Sequence, residues 1–508
     1  MPDRNVKLPP DRIAVIDIGS NSLRLVVFER LGATLLTLLN EKVMCGLGRG
    51  IARTGRLNRD GRELALDNLQ RFVALARALN VDHLVAIATA AVREASDGQE
   101  FAAEIERHCG IKVRIIDGAE EARLSAAGVL AGIPGADGVV GDLGGGSVEL
   151  VRIDGNSNGP AISDGISLPL GPLRLAEIGD DPRALADTIE VIVKGADLLR
   201  AASSKTLFLV GGAWRAIARL HMEQTHYPLH IIHQYTIGRR SAEDFLEVLA
   251  PMSRRSLERI ATINRKRLEL VPLAAMILYR LIEFGAPERI VFSAYGLREG
   301  YAYSLLPADP SVDPLIAACL GVAHSQSRGH SGGDRLQEWI EPVFRDLTPR
   351  RSRLHRAACL LSDIAWTEHP DYRAEQAFTR SLRMPIGAID HRERVFIASA
   401  LHARYGGPPD DPVKAATRSL LDDDEAAEAR ALGLALRLAY TLCGGAFDLL
   451  ADVRLSRDDG LLVLELPASG SLFQGEAVER RLGALGRALG LSPQTVRRRA
   501  RKPALASN

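Results

Sequence analysis

The chain alternates short apolar runs with longer amphipathic stretches, and this rhythm predicts α/β layers. Residues 12–30 read as two strands about a turn. RIAVIDIG is a continuous apolar run of the buried-strand kind, Ser20-Asn21 is a polar turn pair, and SLRLVVFE is a second β-rich run. From Asp60 to Leu79, the residues Leu64, Leu66, Leu69, Phe72, Val73, Leu75 and Ala76 recur at helical spacing. A strand at 83–90, a helix at 97–109, a strand at 111–117 and a helix at 118–132 follow. The next stretch predicts a helix at 182–202, a strand at 206–212, a helix from Trp214, a helix near 270–285, a strand at 289–296 and a helix at 297–306. Residues 305–314 carry Pro307, Pro310 and Pro314 and read as a linker. Beyond them, 315–450 is Ala/Leu/Arg-rich and helical, 453–467 is a hairpin turning on Asp-Asp-Gly, and the chain closes with a helix and a basic tail at 497–502.

One segment occurs twice. Asp17-Ile-Gly-Ser-Asn-Ser-Leu-Arg-Leu-Val aligns with Asp142-Leu-Gly-Gly-Gly-Ser-Val-Glu-Leu-Val, matching Asp17 to Asp142, Gly19 to Gly144, Ser22 to Ser147, Leu25 to Leu150 and Val26 to Val151. The separation is far longer than a solenoid period. It predicts two related domains, each opening on strand, tight polar turn, strand. The organisation expected is 1–135, 136–306 and a third region, 307–508.

Composition narrows the chemistry. The 508 residues are 46% hydrophobic and 25% charged, which is ordinary globular usage. Lys+Arg number 64 against 63 Asp+Glu, a net charge of +1, so there is no global basic footprint for nucleic acid and a polyanion must be met by local clusters. The five cysteines are scattered with no C-x-x-C, which reads as reduced thiols in the cytoplasm. The first ten residues hold no apolar signal core, and no apolar run approaches the ~18 residues of a membrane span.

Turns of Gly, Ser and Asn at strand ends point several N–H groups into one space and bind anions, phosphate above all. Ser20, Asn21 and Ser22 in the first copy and Gly144, Gly145, Gly146 and Ser147 in the second are such turns. Two copies facing one another would clamp a phosphate chain from both sides, with glycines supplying close approach and positive φ. Asp17 and Asp142 precede the turns, and a carboxylate beside phosphate calls for a cation, Mg²⁺ being the natural one. Glu149 follows Asp142 in the outgoing strand, where the first copy has Arg24. Arg93 sits past a strand end, and Glu120-Glu121-Ala-Arg123 opens a helix. Gly211-Gly212 makes a third glycine turn before a helix. His221, His226, His230 and His233 lack metal-ligand spacing and read as structural.

Together, VIDIGSNSLRLVVF (15–28), ATAAVREA (88–95), EEARL (120–124), GDLGGGSVELV (141–151), LVGG (209–212) and LREG (297–300) resemble the exopolyphosphatase and guanosine pentaphosphate phosphohydrolase family. That family lies in the acetate/sugar kinase, heat-shock ATPase and actin superfamily. The resemblance implies two ribonuclease-H-like domains with the site between them, plus a mostly helical, HD-like C-terminal region. It implies Glu121 as catalytic base, Asp142 and Glu149 as metal-associated acids with Asp17 opposite, and Asn21, Ser22, Arg93 and Gly144–Ser147 as phosphate contacts. In the HD-like region, Ser362-Asp363 stands where a His-Asp pair is the pattern, so one metal ligand is missing; His355, His369, His391 and His402 are the remaining candidates. The activity implied is Mg²⁺-dependent release of orthophosphate from the end of inorganic polyphosphate, in a homodimer. Guanosine pentaphosphate hydrolysis and alarmone binding without catalysis are the alternatives. A polyphosphate path would draw on Arg239-Arg240, Arg254-Arg255, Arg265-Lys266-Arg267 and Arg350-Arg351-Ser-Arg353.

Overall fold

A computed structural model describes residues 11–155, 161–179, 181–252, 256, 269–307, 309, 312–326, 332–415, 417–467 and 475–497. By its contacts the chain divides into two compact units, Met1–Pro314 with Pro385–Ala388, and Leu315–Met384 with Ile389–Asn508.

The first unit holds two sheets. In the first, β1 (Arg12–Ile18), β2 (Leu23–Leu31), β3 (Thr34–Val43), β4 (His83–Ala88) and β5 (Val113–Ile115) lie in the order β3-β2-β1-β4-β5. β1 pairs antiparallel with β2 and parallel with β4. Its two faces feed two cores. Ala14, Ile16 and Ile18 pack with Phe72 of α1 (Arg59–Ala78) and Phe101 of α2 (Gly98–Cys109). Ile13 and Val15 pack with Leu124 of α3 (Gly118–Gly132) and Ala302 on the far side.

The second sheet repeats the plan. β6 (Asp137–Leu143) pairs antiparallel with β7 (Val148–Asp154) and parallel with β10 (Thr206–Gly211). β8 (Ala161–Ile162) and β9 (Ile166–Leu168) pair with β7; β12 (Arg289–Phe292) continues from β10, and β11 (Tyr235–Gly238) closes the edge. Helices α4 (Pro182–Lys194), α5 (Gly212–Gln224), α6 (Arg239–Leu249) and α7 (Val271–Gly285) flank it. The core is centred on Trp214, Tyr235 and Phe292. His221 serves that core by bonding the Tyr235 hydroxyl at 2.6 Å, and His233 bonds the Gly132 carbonyl at 2.9 Å.

Helix α8 (Leu297–Ser304) packs on α3 at backbone distance. A β-carbon at Gly300 would lie 1.9 Å from the Leu124 carbonyl oxygen, so only glycine lets the two helices meet. This contact fixes the start of α8 relative to the start of α3, which matters for the site.

The second unit is built on α9 (Pro314–Gln326), α10 (Gly333–Ile340), α11 (Pro349–Leu360), α12 (Arg373–Arg383), α13 (His391–Arg404) and α14 (Asp423–Cys443). A small sheet follows, with β13 (Arg454–Asp458) antiparallel to β14 (Leu461–Leu466) and β14 parallel to β15 (Ser492–Arg497), α15 (Glu476–Leu489) linking the last two. Among the described residues its histidines do not gather into a metal site. His355 bonds Glu428 at 2.8 Å, His402 bonds Asp411 at 3.0 Å, and His369 lies beside Asp371. Among the described residues, no three His, Cys, Asp or Glu side chains form a metal cage. No helix among them is long and apolar enough to cross a membrane.

Several sequence-based expectations need correction. The helix expected over 182–202 stops at Lys194 and resumes as a 3₁₀ turn at Asp197–Ala202, because Gly195 caps it. The strand expected to reach 296 ends at Phe292, where the Ser293 hydroxyl takes over the turn by bonding the Tyr295 backbone. β3, β11 and β15 escaped the pattern: β3 is an edge strand without clean alternation, β11 has four residues, and β15 is polar and held by its ladder to β14.

Candidate active site

The repeated segments form matched hairpins. Gly19 N donates to Ser22 O at 3.1 Å in one, and Gly144 N to Ser147 O at 3.0 Å in the other. In the ladders Asp17 faces Arg24 and Asp142 faces Glu149. Both turns line one cavity of about 300 Å³, together with Asp17, Glu121, Asp142, Gly211 and Gly212. Ser20, Asn21, Ser22, Gly144, Gly145 and Ser147 all reach it. Gly146 lies behind, its carbonyl accepting from Gly171 N and Arg174 Nε. The expected positive φ occurs at Gly211 (φ 115°) and at none of Gly144, Gly145 and Gly146.

Helix α3 places the acidic pair. The Asp117 side chain caps it by accepting from Glu120 N at 2.8 Å, which sets Glu120 and Glu121 in the first turn. Their side chains then diverge. Glu120 turns outward to Arg114 and Arg123, whereas Glu121 is 7% exposed and accepts from Arg93 Nη1 at 2.9 Å. The same Nη1 also donates to the Ile116 carbonyl at 3.0 Å, and Arg93 comes within 4.0 Å of Glu149. The Arg93 side chain is partly exposed, and Arg93 is not among the residues that line the cavity. Glu149 also lies below the wall, 1% exposed, with one oxygen accepting from Ser167 at 2.9 Å. Its Oε2 and the Ser147 hydroxyl are buried without a hydrogen bond of acceptable geometry.

The acids are strained toward neutrality. Burial, then the charge of Glu149, raises the Glu121 carboxyl well above the usual range, while Arg93 pulls it back. Glu149 is pushed up to about 7, chiefly by burial. Asp142 and Asp17 are raised by burial as well; Ser125, which donates to Asp142, and Arg298, 3.6 Å from Asp17, oppose the shift.

Five cations line the same cavity: Arg24, Lys42, Arg215, Arg219 and Arg298. Arg24 is lowered to about 10 by burial and by Arg298 and Arg215, and Arg215 is lowered by burial and Arg298. The Nε atoms of Arg24 and Arg298 are buried without acceptors. Arg215 hangs from the carbonyls of Ser293 and Ala294, at 3.3 and 2.9 Å. Sequence reading assigned none of these five to phosphate. Arg298 was within reach of it, as part of LREG, whereas Lys42, Arg215 and Arg219 converge only through the fold. Of the surface arginines proposed as a polyphosphate path, Arg239 pairs with Glu243, Arg350 with Asp390 and Glu393, and Arg351 with Glu425 and Glu428. Arg254-Arg255 and Arg265-Lys266-Arg267 lie outside the described residues.

Comparisons with known proteins give the chain its family. Residues 25–309 match the Ppx/GppA phosphatase family, and residues 315–495 match the C-terminal exopolyphosphatase region. A guanosine-5'-triphosphate,3'-diphosphate pyrophosphatase from Aeromonas hydrophila is 27% identical over 69% of this chain and 72% of its own. Exopolyphosphatase 1 of Mycobacterium tuberculosis is 25% identical over 60% of this chain and 91% of its own. Among solved structures, an exopolyphosphatase from Cytophaga hutchinsonii has a TM-score of 0.52 at 27% identity, covering 58% of this chain and 97% of that one.

Proposed function

Because the chain belongs to the Ppx/GppA phosphatase family, a family of hydrolases, we propose that it is an exopolyphosphatase, releasing orthophosphate from the end of inorganic polyphosphate. The observation that carries this reading is one cavity that combines two anion-binding turns, five cations and a buried, arginine-held carboxylate. None of its described lining residues is aromatic, so they offer no aromatic ring on which a guanine could stack, which favours polyphosphate. The Aeromonas relative keeps guanosine pentaphosphate as the second reading.

Phosphoryl transfer depends chiefly on positioning and charge stabilisation. The turn N–H groups with Arg24, Arg215 and Arg298 hold the terminal phosphates and offset charge on the transferring group. Glu121 accepts a proton from the attacking water, whose oxygen bonds the terminal phosphorus as the bridging P–O bond breaks. Arg93 keeps that carboxylate oriented and ionised. Four desolvated carboxylates, Asp17, Glu121, Asp142 and Glu149, and the unsatisfied Glu149 oxygen fit a divalent cation held by one or two of them, with Asp142 the first candidate. Mg²⁺ bound there would supply charge neutralisation between carboxylate and phosphate oxygens. We place the enzyme in the cytoplasm, on its five scattered cysteines with no C-x-x-C, and as a homodimer, on the family resemblance. Phosphate release from long polyphosphate and from guanosine pentaphosphate, in parallel with and without Mg²⁺, tests the assignment: faster release from the nucleotide would reverse it.

A further inference from the structure

In the first unit, each anion-binding turn is held from behind. Gly48 N donates to Ser20 O at 2.8 Å, and Gly46 N to Asn21 O at 3.1 Å. On the second turn, Leu173 N donates to Gly145 O at 3.0 Å, and Gly171 N to Gly146 O at 3.1 Å. The two turns touch, since a β-carbon on Gly145 would lie 3.0 Å from that of Ser20. In a planar trans peptide the carbonyl and the following N–H point in opposite directions. Bonding those four carbonyls from behind therefore turns the N–H groups of Asn21, Ser22, Gly146 and Ser147 the other way, to the side where Asn21, Ser22, Gly145 and Ser147 line the cavity. Among the described residues, none of these four N–H groups donates to the backbone.

Two side chains join these supports. Arg174, on the short helix Pro172–Leu175, uses both sides of its fork: Nε donates to Gly146 O at 3.0 Å, and Nη2 pairs with Glu94 at the end of the short helix Ala90–Glu94. Glu177 accepts from Gly50 N at 2.6 Å, two residues past Gly48. Residues 171–177 thus carry the second turn and are bonded to the segment that carries the first. Arg174 does not line the cavity, so it acts on a bound anion through Gly146. The Arg174 and Glu94 side chains are 25% and 36% exposed, and ion pairs so exposed contribute little to folding. A loss of phosphate grip on removing this pair is therefore separable from a loss of stability.

On the exopolyphosphatase reading of the site, we propose that Arg174 and Glu177 are positioning residues for the reaction: they brace the two turns against each other so that both sets of N–H groups meet one phosphate chain. Without the brace each turn keeps its own hairpin, but the two donor sets drift apart. The grip on bound phosphates weakens in the ground state and the transition state alike, which raises KM and leaves kcat in place.

Calorimetric titration of the full chain with imidodiphosphate, whose P–N–P bridge resists hydrolysis, and steady-state phosphate release from long polyphosphate test this together. Arg174→Gln weakens imidodiphosphate binding and raises KM by about tenfold each, the equivalent of one charge-assisted hydrogen bond. Its kcat stays within roughly threefold of wild type, and its melting temperature is little changed. Arg174→Lys keeps the charge but offers one nitrogen in place of the fork, and it stays closer to Arg174→Gln than to wild type. Glu177→Ala, at an exposed position, moves KM in the same direction and carries the test should Arg174→Gln fail to fold. Unchanged KM and imidodiphosphate affinity in Arg174→Gln and Glu177→Ala, or wild-type values in Arg174→Lys, overturn the proposal. A wild type that binds imidodiphosphate more tightly than the variants but releases no phosphate from polyphosphate overturns the exopolyphosphatase reading and upholds the brace.

Discussion

Arg93 Nη1 lies 2.9 Å from Glu121 Oε2, and this part-buried pair ties the end of one strand-to-helix connection to the start of another. Its consequence is electrostatic. Burial and Glu149 favour the protonated form of Glu121; Arg93 favours the ionised form that a base requires.

The pH profile follows with a definite sign. Activity is lost as pH falls through the Glu121 pKa, so the acid limb of kcat/KM lies above the ordinary carboxylate range of about 4.3. Arg93→Gln removes the group that lowers that pKa, and the limb moves to higher pH. An acid limb that stays put or moves down in the variant contradicts the pairing.

Arg298 is the cation through which LREG reaches the cavity, with a buried, acceptor-free Nε. Charged hydrogen bonds contribute about 1.5–3 kcal/mol, so Arg298→Gln should lower kcat/KM on polyphosphate by roughly ten- to a hundredfold. Steady-state kinetics measures this; a change under twofold would remove Arg298 from substrate contact.

How far the site could be read from sequence depended on distance along the chain. Both hairpins were legible because strand, turn and strand are contiguous and occur twice. Glu121 was legible because its motif opens a helix after a strand. Arg93 was found, but its bond to Glu121 was not, because that pairing and the bond to the Ile116 carbonyl depend on packing between two strand-to-helix connections. Lys42 on β3 and Arg215 on α5 carry no local signal, since their convergence is created by sheet order.

Asp142 tests the cation. Asp142→Asn keeps a partner for the Ser125 hydroxyl while removing the charge. The Mg²⁺ concentration for half-maximal activity should rise by roughly tenfold or more. An unchanged Mg²⁺ dependence would exclude Asp142 as a ligand.

Two adjacent glycines should behave differently. Gly211 has φ 115°, and a β-carbon there would lie 2.5 Å from Leu143 O; Gly212 has open space. Gly211→Ala should cost about 1–3 kcal/mol and Gly212→Ala little, as read by urea denaturation. Equal losses would contradict the packing described for this turn.

The central claim is that Glu121, not its neighbour, is the base. Glu121→Gln keeps the shape of the side chain and removes the proton acceptor, so kcat on long polyphosphate should fall by roughly 10²–10⁴ with binding largely retained. Glu120 turns outward to Arg114 and Arg123, and Glu120→Gln should leave kcat within a few-fold of wild type. The direct test is kcat for the two variants measured side by side. A dead Glu121→Gln beside an active Glu120→Gln is the result predicted; an active Glu121→Gln would contradict the account.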